Sequence, residues 1–292
     1  MISTVMRRAW LSLAVVAVVA VVAVVAGGLA GCGPSDASGG GAGATDDARG
    51  TAAATRVTKA LSGVREKTEK AGSARVDCTM SVGDTVKTRS TGAIGWADGL
   101  SGTLTITYTG GSWAKTMREL GNESTPARFV DDAYYAKMSD KFAAVSGHGR
   151  HWIKYDYEAS ANFTPAQSVE LLLAAPDTGE VGTATVRGVR TTHYSGTVDV
   201  ARLGTSRPGL TDAELAELTQ WLKQAGITEQ RVDIWVDARD LLVKRSERGV
   251  VTGGTSVTTA YYKDYGTQVR IPEPPPAADT VDFADLANPK TS

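Results

Sequence analysis

Arg231-Val232-Asp233-Ile234-Trp235-Val236-Asp237 alternates polar and apolar side chains, Arg239-Asp240 supplies turn residues, and Leu241 to Glu247 runs back. A period of two sends alternate side chains to opposite faces, so this stretch reads as a half-buried hairpin. The same pattern extends outward. Val76 to Val82 and Leu104-Thr105-Ile106-Thr107-Tyr108 alternate, Ala127 to Met138 reads as two short strands turning at Asp131-Asp132, and Trp152-Ile153-Lys154-Tyr155 follows. Glu180 to Val186 and Val189 to Val200 pair about Arg187-Gly188, and a final strand lies beyond Gly253-Gly254, across Ser256 to Tyr265. Asp98-Gly99 and Gly110-Gly111 add turns. Runs joined by such short turns give an antiparallel meander more naturally than a parallel sheet.

Helices frame and interrupt the strands. Val57, Ala60, Leu61 and Val64 share one face of a helix expected from about Ala52 to Lys70, with Gly72 as its stop. Thr164-Pro165-Ala166-Gln167 combines an N-cap, a proline at the first helical position and a capping glutamine, predicting a helix to about Ala174 before Pro176. Thr211-Asp212-Ala213-Glu214 is a second capping box, followed by a stripe of Leu215, Leu218, Trp221, Leu222 and Ala225 and then Gly226. Pro272, Pro274, Pro275 and Pro276 argue against further ladder pairing, so the last segment, 272–292, is expected to be an extended, weakly held tail. The class is α+β.

The N-terminus carries a different signal. Arg7 and Arg8 precede an Ala/Val run from Ala9 to Ala26, and Leu29-Ala30-Gly31-Cys32 matches the bacterial lipobox. Residues 1–31 are thus expected to be a lipoprotein signal peptide, with Cys32 the acylated first mature residue. Two or more acyl chains make a stable anchor, since each buried CH₂ contributes about 0.8 kcal/mol. An uncleaved membrane helix is the competing reading of the run. The residues around Arg7-Arg8 leave general secretory and twin-arginine export both open. From Gly33 to Ala54 the chain is Gly, Ala, Ser, Thr and Asp with almost no large apolar side chain, so 32–54 is expected to be a flexible tether. The expected location is the cell membrane, lipid-anchored on its extracytoplasmic face.

Removing residues 1–31 takes two of the 31 basic residues and none of the 32 acidic ones, leaving 29 against 32 and a net charge of −3. Mixed signs without a basic stripe give no reason to expect a nucleic-acid partner. With Cys32 used by the anchor, Cys78 is left alone and no internal disulfide can form. It sits among Val76, Met80 and Val82 as a small buried hydrophobe, a catalytic thiol being the sharper alternative.

Catalytic chemistry has few candidates. His148, His151 and His193 are the histidines, and His148-Gly149-Arg150-His151 lacks the spacing and glutamate of a helical zinc site. No G-x-S-x-G elbow, P-loop or dinucleotide fingerprint occurs. Asp131-Asp132 reads as a turn rather than paired acids. An enzyme is not expected, and no cofactor or metal is assigned.

Gly188-Val189-Arg190-Thr191-Thr192-His193-Tyr194-Ser195-Gly196-Thr197-Val198-Asp199, Val232 to Asp237, and Asp264-Tyr265-Gly266-Thr267-Gln268-Val269 give the chain a family likeness. It resembles the LolA-like lipoproteins of actinobacteria, of the LppX/LprG type. The resemblance implies a strongly curved antiparallel half-barrel over residues 55–271, with helices covering its concave face and an apolar cavity for acyl chains. Val169, Leu172 and Leu173 of one helix, and Leu215, Leu218, Trp221 and Leu222 of the other, are the candidate lining residues. Ordinary core burial is the plainer reading of both stripes. The function implied is binding of lipid or another apolar ligand, with transfer between envelope sites as a further step. The alternatives are a packed envelope lipoprotein that docks a protein partner or senses its surroundings, and a hydrolase without a known motif.

Overall fold

The computed structural model describes residues 43–130, 133–156, 164–204, 207–251 and 254–287. Cys32, the apolar run before it and the turn expected at Asp131-Asp132 lie outside them. In chain order, helix α1 (Gly43–Ala71) precedes strands β1 (Ser73–Val82), β2 (Val86–Gly95) and β3 (Ser101–Gly110). Helix α2 (Gly111–Glu119) leads to β4 (Ser124–Val130) and β5 (Ala133–Lys137), and α3 (Asp140–Val145) leads to β6 (Trp152–Asp156). Next come α4 (Pro165–Ala174), β7 (Gly179–Val186), β8 (Val189–Asp199), α5 (Asp212–Gln224), β9 (Glu229–Val236), β10 (Leu242–Val251) and β11 (Gly254–Lys263). The chain ends its described course in β12 (Thr280–Asp282) and α6 (Phe283–Ala287).

The strands form one 12-stranded sheet in the order β12-β6-β5-β4-β3-β2-β1-β11-β10-β9-β8-β7. Two antiparallel meanders, β1 to β6 and β7 to β11, run away from each other and are joined where β1 pairs β11, Cys78 lying opposite Ala260. Only β12 against β6 is parallel among these pairings. The sheet is curved and unclosed, with β12 and β7 at its edges. Arg187 (φ 48°) and Gly188 (φ 84°) are both left-handed, as the two-residue β7–β8 hairpin requires.

One face of the sheet carries the helices. Leu61 and Val64 of α1, Val169, Leu171 and Leu172 of α4, and Leu215, Leu218 and Leu222 of α5 meet Val76, Val232, Ile234 and Leu242 in the main core. Trp113 and Met117 of α2, Phe142 of α3 and Leu286 of α6 close a second cluster on Val82, Val86, Ile153 and Val281. Residues 43–287 therefore hold one sheet and the helices that close its core, enough to fold without what precedes them.

Five elements depart from the expectation, the first being α3, six residues capped by Ser139 and too short to carry an apolar stripe. Helix α1 begins at Gly43 rather than Ala52, so the end of the expected tether is helical; alanine-rich sequence favours helix even without an apolar face. Strand β2 was not foreseen because its central inward positions, between buried Val86 and Ile94, are Thr88, Ser90 and Gly92, which break apolar alternation. Gly110-Gly111 starts α2 instead of a simple turn: Gly111 has φ 82°, and a Cβ there would lie 2.4 Å from the Thr85 carbonyl oxygen. The segment after Pro276 is not a loose tail. It pairs β12 with β6 and buries Val281 and Leu286, because the prolines stop one strand without preventing the next.

Candidate functional site

The helix α5 is fixed at its start by the expected capping box. The Thr211 hydroxyl accepts from the Glu214 amide at 3.2 Å, and the Glu214 carboxylate accepts from the Thr211 amide at 2.6 Å. That backbone bond holds the Glu214 carboxyl below its ordinary value, with the Thr211 hydroxyl adding to it. Arg65 of α1 donates to the other Glu214 oxygen at 3.2 Å and ties the two helices. Leu215, Leu218, Trp221 and Leu222 are then buried in the main core. The next side of α5 fronts a groove of about 690 Å³, whose wall includes Leu203, Gly204, Asp212, Leu215, Ala216 and Lys223. That volume lies within the roughly 300–1,000 Å³ typical of small-ligand sites. Leu203, Leu215 and Ala216 give it an apolar strip, and Asp212, Thr219, Gln220, Lys223 and Gln224 supply polar side chains around it.

A second, smaller cavity of about 150 Å³ lies between α1 and α4, with Val57 and Leu61 on one side and Leu172 and Leu173 on the other. Arg207 closes it, its Nε donating to the Ala174 carbonyl at 3.0 Å. Seven lining residues were expected. Leu215 reaches the large groove and Leu172 and Leu173 reach the small one, while Val169, Leu218, Trp221 and Leu222 belong to the packed core. Leu203, Ala216 and Lys223 were missed. They belong to a loop and to the polar side of α5, where hydrophobic periodicity carries no signal.

Beneath α4 lies a buried polar cluster that the sequence did not announce. Glu247 of β10 accepts from Ser168 of α4 at 2.5 Å, from Arg245 at 2.9 Å and from Gln230 of β9 at 3.0 Å. Arg245 is 2% exposed and Glu247 is 7% exposed. Burial alone would lower the Arg245 guanidinium; the Glu247 carboxylate beside it outweighs that and keeps it charged. The cluster pins α4 to the floor of the sheet. At the start of the same helix Thr164 makes no side-chain cap bond, and Gln167 is buried with its Oε1 lacking a partner among the described residues. The capping pair expected there is therefore not formed.

The other candidates take structural positions. His193 stacks on Trp235 with ring centroids 4.4 Å apart and lies 2.8 Å from the Asp233 carboxylate. His151 Nδ1 lies 2.8 Å from Asp279, and His148 is an exposed turn residue with φ 52°. Cys78 is buried and free, and burial pushes its thiol up to about 11, away from the thiolate a nucleophile needs. Among the described residues no cluster of His, Cys, Asp and Glu could hold a metal ion. No described helix is long and apolar enough to cross a membrane.

Comparison with known proteins gives two strong relatives. A Streptomyces griseus protein, the uncharacterized 31.2 kDa protein in the rplA-rplJ intergenic region, is 47% identical over 78% of this chain and 79% of its own. The Streptomyces coelicolor protein named "Putative lipoprotein SCO4650" is 44% identical over 98% of both chains. Among solved structures, the Mycobacterium tuberculosis lipoprotein LppX matches with a TM-score of 0.49 and 12% identity over 75% of this chain and 99% of its own. LprF from Mycobacterium bovis matches with a TM-score of 0.44 and 13% identity over 75% and 97%. No family model matches.

Proposed function

The chain belongs to the Streptomyces lipoprotein family that includes SCO4650, and from that membership we propose that it is anchored through Cys32 and binds a lipid or another apolar ligand. The observation that carries the ligand reading is the groove along α5, with an apolar strip at Leu203, Leu215 and Ala216 beside the polar side chains of Asp212, Thr219, Gln220, Lys223 and Gln224. A guest with a hydrocarbon part and a polar end suits such a lining. Binding is driven by removing apolar surface from water and involves no covalent step. Transfer between envelope sites follows if the guest leaves by the same open side.

The test uses the chain begun at Gly33, so that no anchor lipid confuses the result. Organic extraction and mass spectrometry of this protein should release one lipid species in near-stoichiometric amount. Ala216 is exposed on the groove wall, so Ala216→Trp fills the groove without entering the core. It should abolish the extracted lipid and leave the melting temperature unchanged. A clean extract from the parent protein, or equal lipid in the variant, defeats the reading.

A further inference from the structure

Around α4 the charge is locally acidic. On the helix side, Glu69 of α1 and Glu214 and Glu217 of α5 surround Glu170 of α4, whose carboxyl is pushed up first by burial and then by those neighbours, against Arg65. The outer face of the β1–β6 meander is the reverse. Strand alternation places Arg75 of β1, Lys87 and Arg89 of β2, Arg128 of β4, Lys137 of β5 and Lys154 of β6 on that face. One acid on this face, Asp77, is already held by Arg89 at 2.9 Å and Arg187 at 2.8 Å. At the rim, Arg75, Lys87 and Lys154 reach Asp264, Asp84 and Asp282 at 3.5, 3.9 and 3.9 Å.

Within this face lies a groove of about 360 Å³, lined by Arg128, Lys137, Trp152 and the exposed threonines 91, 103 and 105. Arg128 is held in place: its guanidinium lies over the Trp152 ring at 4.5 Å, and its Nη1 donates to the Glu273 carbonyl at 2.9 Å. Lys137 Nζ stands 5.9 Å from the same ring. Among the described residues neither Arg128 nor Lys137 makes an ion pair, unlike the rim cations. Two unpaired cations with three hydroxyl donors fit the oxygens of a phosphodiester.

We propose that this face docks on the anionic headgroup surface of a bilayer, with a lipid phosphate seated between Arg128 and Lys137 and the threonine hydroxyls donating to its oxygens. The breadth of the field favours a surface over a single small anion: five inter-strand spacings of roughly 4.8 Å separate β1 from β6. The inference rests on the anchored reading above, which keeps the domain within reach of such a surface. It turns the helix side, and the groove along α5 with it, away from the bilayer that holds the tether.

The test is co-sedimentation of the chain begun at Gly33 with vesicles of phosphatidylcholine alone and with vesicles about one-third phosphatidylglycerol. Binding to the anionic vesicles should exceed binding to neutral ones by about tenfold or more and fall with added salt. Lys87→Glu with Lys137→Glu, both exposed, should remove about tenfold of that binding, and the neutral pair Lys87→Gln with Lys137→Gln a smaller part. Arg56→Glu with Lys59→Glu on the exposed side of α1 should leave it unchanged. Equal binding to both vesicles, or equal loss from the α1 pair, overturns the proposal. Release by inorganic phosphate well beyond chloride of the same ionic strength also overturns it, reassigning the groove to free phosphate. The two sheet-face lysine pairs should keep the extracted lipid and Ala216→Trp should keep vesicle binding, so the two readings fail separately.

Discussion

Arg245 and Glu247 show how one residue of slippage redirects chemistry. Counting by twos from buried Leu242 would send Lys244 and Ser246 inward. The register shifts between Leu242 and Lys244, and Arg245, Glu247 and Gly249 turn inward instead. An extra strand residue of this kind re-aims every side chain after it, and nothing in composition marks it. The pair it buries is costly to break on one side. Glu247→Ala should cost about 3–5 kcal/mol by urea titration, since it leaves Arg245 charged and unpaired. Arg245→Met with Glu247→Leu should cost far less. On the other face, the Arg89 hydrogen bond, aided by Arg187 against the upward push of burial, holds the Asp77 carboxyl below its ordinary 3.8. A carboxyl with a lowered folded-state pKa contributes stability above its unfolded value and loses it as pH falls through the folded one. Asp77→Asn should therefore shrink the drop in melting temperature between neutral pH and the range below about 4, as a thermal scan across pH would show.

At the scale of elements, strands with apolar alternation and the helices that start after Thr164 and Thr211 were legible, and short elements such as the Ser139-capped α3 or those held by tertiary partners were not. The α5 box is visible as Thr211 and Glu214 and is made as expected; Thr211→Ala should cost about 1 kcal/mol by the same titration. Strand β2 lies between β1 and β3, which satisfy its backbone on both sides, so it tolerates Thr88, Ser90 and Gly92 facing inward. Strand β12 has only three residues, too few for any periodicity, yet it carries Val281 into the second core cluster beside Leu286. Ending the chain after Pro276 removes both anchors. At about 1.5–3 kcal/mol for each buried aliphatic side chain, this truncation should lower stability by roughly 3–6 kcal/mol in a denaturant melt.

For the whole molecule, the α+β class and the antiparallel meanders could be read directly, because each strand reports its own two faces. Most of the groove could not. Its wall joins the loop at Leu203 to the solvent side of α5, and sequence patterns describe single elements, not spaces between them. The stripe that drew attention, Leu218, Trp221 and Leu222, is the side that packs. The cationic sheet face was hidden in the same way, since a net value of −3 does not say where the charges sit. The anchor is testable at this scale: Cys32→Ala should leave unprocessed precursor without lipid, seen as a larger species on gels and by intact mass. Acylated mature protein persisting in that variant would refute the assignment.

Strand β7 leaves one side of its backbone ladder unpaired at the end of the sheet. Its pairing with β8 is interrupted between Glu180 and Gly182, where Gly182 takes φ 142°. The break twists the free border and splits its run of donors and acceptors into short lengths. Two copies that met along this border would find no long, regular ladder to share, so the bulge works against edge-to-edge pairing through β7.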